Sequence, residues 1–218
     1  MNALAKTTFA ATLVLVTTLT AKAGYIYDNS QNDLVQRLQA VEGLWFGDEV
    51  NLAGTDRFMI GFDFQFWATN TSGLTIDVEL RLQDGPLFNG YASPGTLIYS
   101  YYGFSAPNTP RSTLVFDSTD LGGGIDITGV NTLTLAVRFT NIGTGEAGVD
   151  IYDPPVVGTS FDDYWQYVGG QWQLTTNNVI PKVNFAMRIE AVPEPTAFSL
   201  VLLGGLVGLF GRRCLRRQ

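Results

Sequence analysis

Phe58-Met59-Ile60-Gly61-Phe62-Asp63-Phe64-Gln65-Phe66-Trp67 is the stretch that decides the fold. Phe58, Ile60, Phe62, Phe64 and Phe66 recur at every second position, with Asp63 and Gln65 between them. Successive side chains of a β-strand point to opposite faces, so this spacing predicts a strand with one buried and one wet face. The same period continues on both sides. Leu74, Ile76, Val78, Leu80 and Leu82 alternate with Thr75, Asp77, Glu79 and Arg81. Leu133, Leu135, Val137 and Phe139 alternate with Thr134, Ala136, Arg138 and Thr140, and Val183, Phe185, Met187 and Ile189 with Asn184, Ala186, Arg188 and Glu190. Shorter strands are expected at 97–101, 113–117 and 147–152.

Turn chemistry connects these strands. Residues 70–73, between the first two long strands, predict a hairpin. Gly169-Gly170 predicts a second one, with Val168 facing Gln171, Tyr167 facing Trp172 and Trp165 facing Leu174. Trp165, Tyr167, Trp172 and Leu174 then share one face. Leu34, Val35, Leu38 and Val41 carry a helix-like spacing, which predicts a short helix within 30–42. The expected architecture is all-β: an antiparallel two-sheet sandwich, jelly-roll-like, spanning residues 24–191.

Composition agrees with a β domain and removes several chemistries. Hydrophobic residues make up 45% of the 218, enough for a core, while charged residues are only 15%. Residues 24–192 hold 7 basic and 19 acidic side chains, a net charge of −12. Such a body repels phosphate backbones, so no nucleic-acid partner is expected. The chain has no histidine, and its single cysteine, Cys214, lies near the C-terminus. Ser-His-Asp triads, Cys-His pairs and His-ligated zinc are thereby excluded.

Both ends read as addresses. Lys6 precedes an apolar run at 9–19, and Ala21-Lys22-Ala23 supplies the small-x-small pattern of a cleavage site. Residues 1–23 are therefore expected to be a secretory signal peptide, cleaved after Ala23. No cysteine lies near the cut, which excludes a lipoprotein. Residues 192–218 begin with the triplet Pro193, Glu194, Pro195. An uncharged stretch at 197–211 follows, then Arg212, Arg213, Arg216 and Arg217. As a helix those 15 residues reach about 22 Å, short of a hydrocarbon core of about 30 Å. Snorkelling arginines offset part of the mismatch, and they favour the cytoplasmic side. The alternative is a plain C-terminal membrane anchor that is not processed.

This tail resembles the PEP-CTERM sorting signal of Gram-negative bacteria, which has these three parts in this order. The resemblance implies an exosortase partner, cleavage near the triplet, passage through the inner membrane, and association with exopolysaccharide or biofilm at the cell surface.

Three molecular activities can be weighed from the residues. Exposed aromatics can stack on sugar rings, and Trp67, Trp165, Tyr167 and Trp172 are the candidates for glycan binding. Trp67 lies opposite the Phe face of its strand and is expected to be exposed. A single apolar sheet face would equally explain Trp165, Tyr167 and Trp172. Loop carboxylates Asp150, Asp153, Asp162 and Asp163 are candidates for Ca²⁺, with Asp serving turns as the alternative. No other cofactor is expected. A glycoside hydrolase would need a carboxylate pair drawn from groups such as Asp63, Asp77 and Glu79. No catalytic residue is assigned, and the expectation is a protein that is not an enzyme.

Overall fold

The computed structural model describes residues 23–175 and 182–193. The signal-peptide reading, apart from Ala23, lies outside the described residues, as do the apolar segment and arginines of the tail. Among the described residues there are strands and no helix, arranged as two antiparallel sheets packed into a sandwich.

The first sheet is built on β4 (Phe58–Thr69). One edge of β4 carries β16 (Met187–Val192) and then β12 (Glu146–Tyr152). The other edge carries β10 (Ile125–Asp126) and β9 (Thr109–Phe116). Outside these lie β1 (Gly24–Asp28), paired with β16, and β2 (Asp33–Gln39), paired with β12. The second sheet runs in the order β15 (Gln171–Thr175), β14 (Tyr164–Val168), β3 (Trp45–Asn51), β11 (Thr132–Thr140), β5 (Thr75–Leu82) and β8 (Leu97–Ser105). β13 (Thr159–Ser160) adds to β3 beside β14. β6 (Leu87–Phe88) and β7 (Tyr91–Ala92) form a separate small hairpin.

The alternating residues meet between the sheets. Phe62, Phe64 and Phe66 of β4 face a core shared with Ile76, Val78 and Leu80 of β5 and Leu133, Leu135 and Val137 of β11, all buried. Rings interlock within it: Phe62 stacks on Phe116 of its own sheet at 4.6 Å, and Phe46 meets Phe139 at 5.9 Å and Phe185 at 5.7 Å. Burying each such ring contributes about 1.5–3 kcal/mol, which is what fixes the register.

Three expectations are corrected. The Phe58–Phe66 alternation does not run unbroken. The pairing of β4 with β16 slips between Glu190↔Gly61 and Ala191↔Met59, leaving Ile60 as an extra residue. This bulge turns Met59 into the core and leaves Phe58 and Ile60 only half-buried. Residues 70–73 are not a hairpin turn: β4 and β5 lie in different sheets, and the segment arches between them. An arch and a hairpin need the same period-2 pattern, since both bury the apolar face of each strand. The arch is held by Asn108, whose Oδ1 accepts from Thr71 N at 2.9 Å and from Thr71 Oγ1 at 2.8 Å. Finally, residues 33–39 form β2, not a helix. Val35 stands at φ 56° and 86% exposed, while Asp33 Oδ1 accepts from its N–H at 2.7 Å. That local kink, next to a register shift against β12, produces the helix-like spacing in an extended strand.

The Gly169-Gly170 hairpin is as read, with Trp165↔Leu174, Tyr167↔Trp172 and Val168↔Gln171 as partners. Both glycines hold positive φ, 61° and 86°, the conformation a two-residue turn of matching twist requires.

Candidate functional site

The β14–β15 hairpin lays its apolar face on the outer side of the second sheet, away from the main core. The seat is made by small residues. Trp165 lies opposite Gly47, and Gly47 opposite Ala136. A Cβ on Gly47 would come within 2.8 Å of the Thr134 methyl, so a side chain there would displace a neighbour. Trp165 fills this seat and is fully buried, with Nε1 donating to Glu49 Oε2 at 2.9 Å. Ala136, Trp165 and Trp172 form a satellite cluster, with Trp45, Phe88 and Leu174 against it. Two of the four glycan candidates, Trp165 and Trp172, are thus packing residues. Tyr167, beside them, is 41% exposed and meets Trp172 edge-on at 5.3 Å.

A groove of about 220 Å³ opens next to this cluster, lined by Trp45, Glu79, Arg81, Tyr167 and Trp172. The alternation of β5 places Asp77, Glu79 and Arg81 on this outer face. Pairing through β11 brings Asp77 to Arg138 and Arg138 to Trp45. Arg81 Nε donates to Glu79 Oε2 at 2.7 Å and Nη1 to Gly95 O at 2.6 Å. Tyr102 Oη donates to Glu79 Oε1 at 2.7 Å, and this bond is the main cause raising the Tyr102 phenol above its ordinary pKa. Arg138 donates to Asp77 Oδ2 at 2.6 and 2.9 Å and lies 4.8 Å over the Trp45 ring. Deeper in, burial pushes the Glu49 carboxyl upward against the donors Trp165 and Gln83. The face is therefore a layer of aromatic rings whose polar edges are charges paired in place.

The first sheet's outer face is built likewise, with a groove of about 240 Å³ beside Tyr25, Asp63 and Arg188, but it is closed at Trp67. Trp67, expected to be exposed, is 5% exposed. Arg37 lies 4.9 Å over its ring, and Arg37 is itself held by Asp150 at 3.2 Å. The wet face of β4 is covered by a cation, which a single strand's pattern does not reveal. Arg111 similarly lies 5.7 Å over Tyr152 and Arg188 5.3 Å over Tyr25.

The four calcium candidates do not converge. Asp150 is fully buried between Arg37 and Arg111, at 3.2 and 3.3 Å. Asp153 and Asp162 share Lys182 at 3.1 and 3.7 Å. Asp163 is half-buried, its carboxyl raised first by burial and then by Asp162. Among the described residues no three acidic, His or Cys side chains gather as a metal site. Asp117 and Asp126 accept from Thr119, Asp120 and Thr128 in their own turns, which lowers both carboxyls. The wet-face carboxylates are each committed to a guanidinium: Asp63 to Arg188, Asp77 to Arg138 and Glu79 to Arg81. Of the sorting residues, Pro193 is exposed directly after β16; Glu194, Pro195, Arg212, Arg213, Arg216 and Arg217 lie outside the described residues.

The sequence does not single out Trp45 or Arg81 as site residues. Glu79 and Arg81 share a face by their spacing, but placing Trp45 beside them requires the order β3-β11-β5.

No family model and no curated protein matches the chain. Among solved structures, that of the infectious bursal disease virus Gt strain aligns with a TM-score of 0.34 at 11% identity, covering 87% of this chain and 41% of that one. The VP2 subviral particle of the same virus aligns with a TM-score of 0.30 at 12% identity, covering 85% of this chain and 44% of that one. The chain spans less than half the length of either, and the reading that follows rests on its own residues.

Proposed function

We propose that this chain is an exported protein of the cell envelope, delivered by a signal peptide and a PEP-CTERM tail. It passes the inner membrane, is processed by an exosortase, and serves at the cell surface as a structural or exopolysaccharide-matrix component. The observation that carries this reading is the tail: triplet, apolar segment and arginines in order. The end of the domain supports it. β16 finishes at Val192 and Pro193 is exposed, so the triplet begins where the sandwich stops. The strand order supports the jelly-roll form. Taking β1, β3, β4, β5, β8, β9, β11 and β16 as strands one to eight, one sheet holds the order one-eight-three-six and the other two-seven-four-five.

Replacing Pro193, Glu194 and Pro195 together by alanine tests the sorting role. The variant is expected to accumulate in the inner membrane while the parent reaches the surface or the medium. An unchanged distribution between fractions would remove the triplet from the account.

A second reading, a carbohydrate-binding module, is favoured by the open aromatic groove at Tyr167 and Trp45.

A further inference from the structure

On that carbohydrate-binding reading, we propose that the groove between Trp45 and Tyr167 binds a neutral polysaccharide chain, one sugar ring at a time, with Glu79 and Arg81 reading its hydroxyls. The walls suit the C–H faces of a pyranose: Tyr167 is exposed, Trp45 carries Arg138 over one ring face and is still half-exposed, and Trp172 lies behind them. The floor suits its edge. Glu79 and Arg81 have side chains only 7% and 23% exposed, and both are oriented before any ligand arrives. Tyr102 fixes one oxygen of Glu79, Arg81 the other, and Gly95 O fixes Arg81. Each Glu79 oxygen retains an acceptor site, and Arg81 Nη2 retains a donor. Groups held in place this way bind without the cost of ordering them.

Charge selects among sugars. Glu79 cancels Arg81 and Asp77 cancels Arg138, so the groove carries paired charges and no surplus cation. The surrounding domain, at −12 over residues 24–192, repels uronates and sulfated sugars. A neutral hydroxyl-rich ring meets neither obstacle. Extent favours a chain over a free sugar. A second depression of about 230 Å³, reaching Phe88, shares Tyr167 and Trp172 with the first. Adjacent rings of one polymer can occupy the two.

The test is affinity electrophoresis of the full-length protein in native gels. The gels contain hydroxyethylcellulose, galactomannan or, as the anionic probe, polygalacturonate. Retardation by a neutral polymer is expected. It should weaken about tenfold in Tyr167→Ala and measurably in Tyr102→Phe. It should persist in Tyr25→Ala, which removes an exposed aromatic from the opposite sheet. Retardation by polygalacturonate alone, lost in Tyr167→Ala, would overturn the neutral-sugar assignment and leave carbohydrate binding standing. Retardation insensitive to both Tyr167→Ala and Tyr102→Phe would overturn the site. No retardation by any of the three would overturn both readings.

Discussion

Trp165→Ala is expected to destabilise the domain by about 3–5 kcal/mol, the range for emptying a large buried aromatic. The residue has no exposed surface and its seat of Gly47 and Ala136 has no side chain that can collapse into the hole. Two losses add: the packing of Trp172 and Leu174, and the donor to Glu49 Oε2. Trp165→Phe keeps much of the volume and loses the donor, so it should cost less. Urea unfolding checks both. A cost for Trp165→Ala within about 0.5 kcal/mol, the level of an ordinary surface change, would mean that this cluster is not a second core.

Asp48 is expected to give the next largest effect, and one that depends on pH. It is fully buried, with Oδ2 accepting from Phe185 N at 2.7 Å and Oδ1 from Ser160 Oγ at 2.9 Å. It thereby ties β3 to β13 and to the segment leading into β16. Asp48→Ala orphans the Phe185 N–H in the interior and should cost about 2–3 kcal/mol at pH 4. Burial holds the carboxyl well above its ordinary value of 3.8, against the two hydrogen bonds. A raised folded pKa means that the folded state holds this proton more tightly than the unfolded one. Its contribution is complete below 3.8 and is lost as pH rises toward the folded pKa. Asp48→Asn cannot titrate, and its amide can accept from Phe185 and donate to Ser160, whose hydroxyl also reaches Glu49 O. The stability of Asp48→Asn relative to the parent should therefore climb as pH rises from 4 to 8. Parallel stability profiles for the two proteins would show that Asp48 is not held protonated.

Strand identity was legible where a core imposes a long period 2, on β4, β5, β11 and, from Met187 onward, β16; β1 and β3 bury runs of consecutive residues and carry no such period. Strand partners were not legible. The 70–73 arch, the Ile60 bulge and the Val35 kink depend on which sheet edge receives each strand, and period 2 carries no such information. The Gly169-Gly170 hairpin was legible in full, since a two-residue turn sets register locally. The aromatic face of that hairpin was also readable, but not what lies under it. Whether Trp67, Trp165 or Tyr167 sees solvent is decided by Arg37, Gly47 and Ala136, which come from strands distant in sequence. The same distance hid Trp45 from Glu79 and Arg81, so the groove emerged only with the sheet order.

The sorting account is tested most directly by the intact mass of the protein from its native cell, in the parent strain and in a strain lacking exosortase. The account predicts a parent-strain protein ending near Pro195 and a deletion-strain protein that retains residues 212–218. Retention of residues 212–218 in both strains would contradict it and leave the tail as a membrane anchor.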